Sequence, residues 1–141
     1  MRILIIERSE EIIQRLEQLV TDTSHEAVVD YAVSYSEALA CVRKPAIDII
    51  LIDIKLAKTS SFELLKTIKK VNDKAVIVIL FHILDEYIVR QCKAHGVDYM
   101  FDKYDEFEKI PSLVSQLNMS RIKNDPAKKQ GLYKLCNQER S

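Results

Sequence analysis

Three short runs constrain this chain more than anything else in it: "ILII" at 3–6, "IDIILID" at 47–53 and "AVIVILF" at 75–81. A strand with one face in water alternates apolar and polar residues. These runs are almost continuous Ile, Val and Leu, the pattern of strands covered on both faces. Ala27–Val33 and Tyr99–Phe101 read as two further strands. Two of the runs end abruptly on acids, Glu7 with Arg8 after the first and Asp53 at the close of the middle one.

Amphipathic segments fill the intervals. Ser9 is placed to cap a first helix, with Glu10 and Glu11 in its first turn and Ile12, Ile13, Leu16, Leu19 and Val20 along one face. Ser36 is placed to cap a second helix running to Val42. Phe62, Leu65, Ile68 and Val71 mark a third. Ile88, Val89 and Cys92 mark a fourth, with Gly96 as its C-terminal cap. Ile110, Leu113, Val114 and Leu117 give the fifth a stripe at helical spacing, and Pro111 implies that this helix starts late or bends. Five strand-then-helix units in about 120 residues predict a parallel sheet with helices on both faces, right-handed crossovers and a doubly wound order. Sites in such sheets form beyond the carboxyl ends of the strands, where Glu7, Arg8, Asp53 and Lys103 converge.

Composition narrows the class. The chain has 141 residues, 48% of them hydrophobic and 30% charged. No run approaches the roughly 20 apolar residues of a membrane helix. Glu7 and Arg8 break the first apolar run too early for a secretion signal. Cys41, Cys92 and Cys136 are odd in number and form no CxxC pair, which fits reduced thiols and a cytoplasmic location. His25, His82 and His95 have no metal-ligand spacing with them. The net charge of zero hides an asymmetry: residues 1–120 hold 15 basic and 19 acidic side chains, residues 121–141 six and two. Residues 119–141, with Pro126 and Gly131, read as a basic tail after one domain spanning 1–118. Only two glycines occur, and no glycine-rich phosphate loop, which argues against a nucleotide-dependent metabolic enzyme.

"RILIIERSEEII", "DIILIDIKLAKTSSFELLKTIK" and "GVDYMFDKYDEF" together resemble the three signatures of the response-regulator receiver domain, of the chemotaxis-regulator kind, across about residues 1–118. The resemblance implies a flavodoxin-like (βα)5 fold, a doubly wound five-stranded parallel sheet of order 2-1-3-4-5. It implies that Asp53 is the phosphoacceptor, that Lys103 contacts the phosphoryl group, and that Glu7 is the first member of the acidic pair. Magnesium, with its preference for hard oxygens, would be held by the acidic pair, Asp53 and the Lys55 backbone carbonyl. The upstream partner would be a histidine kinase. At most, the chemistry would be self-phosphorylation and dephosphorylation on Asp53, with no other enzymatic activity.

The departures from that pattern are specific. Arg8 stands where the second acid is expected, and Phe81 (or Leu80, with the alignment shifted by one) where strand four should end in Ser or Thr. Ala57 replaces a proline, Ser61 a glycine and Tyr104 the proline after the lysine. Met100 sits where a switching aromatic is common. If Arg8 turns inward, its guanidinium bridges Glu7 and Asp53 and takes the metal's place. If it turns outward, the two carboxylates bind a looser metal. Either way magnesium binding is expected to be impaired. Phe81 and Met100 are expected to pack into the core, which removes the usual coupling of a hydroxyl to an aromatic rotamer. The favoured reading is a stand-alone pseudo-receiver, a protein-interaction module signalling without phosphorylation; the alternative is a genuine phosphoacceptor. The face built from the fourth helix, fifth strand and fifth helix, 85–118, would dock partners or a second copy through Tyr87, Lys93, Asp98, Tyr104 and Glu106. Nucleic-acid binding by Arg121, Lys123, Lys128, Lys129, Lys134 and Arg140 is the weaker expectation, since no helix-turn-helix accompanies them.

Overall fold

A computed structural model of the chain describes residues 1–44, 46–58 and 62–124, the last four as backbone only. Its strands are β1 (Arg2–Ile6), β2 (Val28–Ala32), β3 (Ile49–Asp53), β4 (Val76–Phe81) and β5 (Tyr99–Asp102). Its helices are α1 (Glu10–Thr23), α2 (Tyr35–Val42), α3 (Ile54–Ala57), α4 (Glu63–Val71), α5 (Glu86–Ala94) and α6 (Lys109–Asn124). All pairings are parallel, in the order β2-β1-β3-β4-β5. The three apolar runs are thus the three inner strands, and every residue of β3 is buried.

The pleat divides those side chains between two cores. Leu4, Ile6, Ile50, Ile52, Ile77 and Ile79 pack with residues of α2 through α5 on one face. Ile3, Ile5, Ile49, Leu51, Val78 and Leu80 pack with α1 and α6 on the other. Strict alternation along continuous apolar runs is what a sheet sandwiched between helices requires.

Local signals set the helix ends. Ser9 caps α1, its hydroxyl accepting from the Ile12 N–H. The cap of the second helix lies two residues before the expected one: Ser34, not Ser36, accepts from the Glu37 N–H, and Ser36 lies in the first turn. Either serine fits that role by composition, and the extended backbone at Ser34 decides it. Val71, expected on the buried stripe of its helix, is 43% exposed at the end of α4, while Leu64 is buried in its stead. Gly96 closes α5 as expected. At φ +80° it allows Val97 N–H to reach the Cys92 carbonyl and its own N–H to reach Lys93, the paired bonds of a Schellman motif. Pro111 falls in the first turn of α6, where an amide donor has no helical partner to lose.

Helix α6 runs on to Asn124, past the boundary at 118. The rest of the basic tail, with Lys128, Lys129, Lys134 and Arg140, lies outside the described residues, as does Ser61. Among the described residues, no helix is long and apolar enough to cross a membrane. Cys92 sits wholly within the core, and burial pushes its thiol up to about 11, so it stays protonated and unreactive at neutral pH.

Candidate functional site

The carboxyl ends of β1, β3 and β5 bring Glu7, Asp53 and Lys103 together. Glu7 follows β1, and its backbone N–H bonds to Ala32, extending the sheet ladder by one residue. That continuation holds the residue so far inside that only 2% of it is exposed. Its Oε1 accepts from the N–H groups of Arg8 and Ser9 at 3.1 and 3.2 Å, just ahead of α1. Asp53 ends β3 and caps α3, its Oδ1 accepting from the Lys55 N–H at 3.4 Å. Lys103 is fixed by its own N–H, which donates to the Phe81 carbonyl at 2.7 Å.

From that anchor the Lys103 ammonium reaches both acids, 2.7 Å from Glu7 Oε2 and 3.2 Å from Asp53 Oδ1. All three side chains are nearly out of solvent, at 12%, 3% and 6% exposure for Lys103, Glu7 and Asp53. Burial of so much charge is tolerable because each group is paired, the acids also by backbone donors. The Lys103–Glu7 contact is an ion pair without hydrogen-bond direction. Oε2 is buried, and the Lys103 ammonium is the cation it faces.

Arg8 does not join them. Its side chain is exposed and makes no ion pair among the described residues. This corrects the inward alternative: the group bridging the carboxylates is Lys103. The cause is local, since Glu7 turns inward at the end of β1 and the next residue is directed the other way.

The pocket beside the acids holds about 240 Å³ and is lined by Asp53, Lys55, Lys103, His82 and Tyr104, with apolar walls from Ile12, Ile54 and Ile83. His82 and Tyr104 meet edge to face, ring centroids 4.5 Å apart. His82 follows β4 directly, and that place in the chain is the signal for it, since the histidines have no metal-ligand spacing with the cysteines. Phe81 and Met100 are half-buried and pack against the core that faces α2 through α5, as expected from their types. The β4–β5 register puts Phe81 opposite Asp102 and Met100 opposite Ile79, on one face of the sheet.

The parallel order, with two acids and a lysine at the carboxyl ends, meets a decisive match in sequence. The profile of the response regulator receiver domain fits residues 3–115. The chain belongs to the response-regulator receiver family. No curated protein sequence matches it. Solved structures agree on the fold. A CheY-like receiver domain protein from Methanospirillum hungatei JF-1 is 21% identical, with 84% of this chain and 97% of that one covered and a TM-score of 0.70. The signal receiver domain of a DNA-binding response regulator (merR) from Colwellia psychrerythraea 34H is 22% identical, covers 84% and 98%, and gives 0.73. A response regulator from Hahella chejuensis is 24% identical, covers 82% and 93%, and gives 0.71. At those identities the likeness is one of fold. Receiver domains as a class are signalling modules that interact with kinases and other signalling proteins.

Magnesium can be tested against the receiver's own atoms. Glu7 and Asp53 carboxylates and the Lys55 carbonyl are oxygens of the right hardness, but the Lys103 ammonium already lies 2.7 Å from Glu7 Oε2 and 3.2 Å from Asp53 Oδ1. Nor, among the described residues, do three acidic, histidine or cysteine side chains gather as a metal site. The residues therefore fit an ion held largely by its own water.

Proposed function

We propose that this chain is an atypical receiver, a signalling and protein-interaction module with weakened magnesium binding whose output state is set without phosphorylation. The observation that carries the reading is the make-up of the pocket: one ammonium against two buried carboxylates, and an exposed Arg8 where a third acid would add its charge. Two acids and one lysine leave −1 inside, and Arg8 adds a positive charge at the rim. Both changes lower the local attraction for a divalent ion. Glu7, Asp53 and the Lys55 carbonyl would hold such an ion, which when bound would screen the charge of an incoming phosphoryl group. Phe81 supports the same reading from the output side. A ring in the core at the end of β4 offers no hydroxyl to follow a phosphoryl oxygen, so chemistry at Asp53 lacks that link to the surface. Output would then rest on the face of α5, β5 and α6. Tyr87, Lys93, Asp98 and Tyr104 are exposed there and Glu106 half-exposed, available to a histidine kinase, another signalling protein or a second copy.

A second reading rests on Asp53 itself. It ends β3 at the wall of a pocket, with the Lys103 ammonium 3.2 Å from one oxygen. A carboxylate so placed can attack phosphorus, the new O–P bond forming as the N–P bond of a phosphohistidine breaks; the electron pair stays on that nitrogen, and the ring, already protonated on its other nitrogen, leaves as neutral imidazole.

Intact mass after incubation with acetyl phosphate and magnesium separates the two. The atypical reading expects no added phosphoryl group, and a gain that disappears in Asp53→Asn would overturn it. Calorimetric titration with magnesium should show Arg8→Asp binding at least about tenfold tighter than the parent, one carboxylate's worth of added attraction.

A further inference from the structure

The opposite end of the sheet carries a different kind of surface. Between α4 and the end of α5 lies an open cleft of about 410 Å³, lined by Lys66, Lys69, Ala94, His95 and Gly96. Because Gly96 precedes β5 and Asp53 ends β3, cleft and pocket sit at opposite ends of parallel strands. Its polar groups are all basic, and its floor is apolar.

Two of them are held in place. The Lys69 stem crosses Gly96 so closely that a Cβ there would fall 2.3 Å from its Cε. The His95 ring stacks on Phe62 at 5.1 Å, nearly parallel, and its Nδ1 bonds to the Gln91 carbonyl at 2.7 Å. With Nδ1 committed to a carbonyl it carries the proton, and Nε2 is the ring's remaining polar atom. Lys66 is exposed beside them, and neither lysine has an ion-pair partner among the described residues. The C-terminal dipole of α5 balances part of one lysine's charge, and the other charge is left over.

The segment that supplies these lysines is basic within an acidic body. The helix that lines it and the turn after it, 63–74, carry four lysines against two acids, whereas 1–54 and 97–120 together carry seven basic and fifteen acidic side chains. We infer that this cleft is a docking site for an acidic segment of a partner protein, its carboxylates meeting Lys66 and Lys69, a donor of the segment reaching His95 Nε2, and an apolar side chain resting on Ala94 and Gly96. The surrounding acidic body disfavours a long polyanion such as DNA, and the open shape suits a peptide segment more than a small ligand. This surface is independent of events at Asp53.

The test is an amide-shift titration of the full 15N-labelled chain with a short peptide of Glu, Asp and Leu, its Gln/Asn counterpart, and duplex DNA. The acidic peptide should move the amides of Lys66, Lys69, Ala94, His95 and Gly96, and the neutral one should not. Lys66→Glu/Lys69→Glu should weaken binding at least tenfold, Lys66→Gln alone by less, and Asp53→Asn not at all. Shifts centred elsewhere, equal binding of the neutral peptide, tighter binding of DNA, or indifference to the charge reversal would each overturn the assignment. So would cleft shifts that grow with protein concentration alone, which would give the cleft to a second copy.

Discussion

The two ends of the sheet handle charge in opposite ways. At the carboxyl end, Glu7, Asp53 and Lys103 are buried, and each is fixed by backbone at the end of a strand. At the amino end, Lys66, Lys69 and His95 lie around an open cleft, steered by a glycine, a ring and a carbonyl. The first arrangement is part of the folded core, so changing one group there alters stability as well as chemistry. The second lies on the surface, where charge changes mainly which partner is attracted. A buried pocket of this kind contributes to the fold whatever its chemistry, while an exposed cleft can change its charge at little cost to the fold.

The sharpest way to break that contrast is at Lys103. Lys103→Met leaves two buried carboxylates facing each other without their cation, and urea unfolding should show a loss on the order of 3 kcal/mol. Adding Glu7→Gln should recover part of it, because one of the stranded charges is then gone. If Lys103→Met is neutral, the pocket is not structural and the contrast between the two ends fails.

Next in size is Asn72, a buried polar residue at the amino end. Its amide donates to the Val42 and Lys44 carbonyls at 2.6 and 2.9 Å, and its oxygen accepts from Ile47 at 3.2 Å. These bonds tie the end of α4 to the segment entering β3. Asn72→Ala strands those backbone groups, at about 2 to 3 kcal/mol by the same unfolding measurement. A loss that large would show that the amino end also has a rigid frame and that only its outer layer is adjustable.

Gly96 sits on the line between frame and surface. Gly96→Ala meets both the left-handed backbone and the Lys69 stem, and should cost roughly 1 to 2 kcal/mol. Lys69→Ala in the same chain removes the steric part and leaves the backbone part. A double variant no more stable than Gly96→Ala would mean that Lys69 yields freely and is not held by the glycine.

What the sequence made legible follows the same division. The inner strands were readable because their burial is written in continuous Ile, Val and Leu, and Asp53 and Lys103 because strand ends fix where they emerge. Gly96 as the cap of α5 was readable for a local reason, the φ that only glycine accepts freely. Less legible were features set by a choice between near-equals: Ser34 over Ser36 as a cap, or Leu64 over Val71 on the buried side of α4. The short helix α3 was missed because four residues carry no periodicity, and it exists through the Asp53 cap and the buried Ile54, Leu56 and Ala57. The cleft was invisible in sequence, since Lys69 and His95 come to one cleft only when the end of α5 is brought to α4 by the fold.

Arg8 is the case where residue type and residue role came apart, and it supplies the smallest expected effect on stability. An arginine beside two acids suggests a bridge, yet a strand end directs neighbouring residues to opposite sides and Glu7 takes the inner one. Arg8→Ala should therefore change unfolding stability by no more than about 0.5 kcal/mol, as expected for an exposed side chain. A loss near that of Lys103→Met would put the guanidinium among the buried charges after all. If the stability effect is small while Arg8→Asp still tightens magnesium binding, the residue acts on the pocket through the field it casts at the rim. The weakened magnesium binding proposed for this receiver would then come from a charge outside its core, on a pocket whose buried frame is intact.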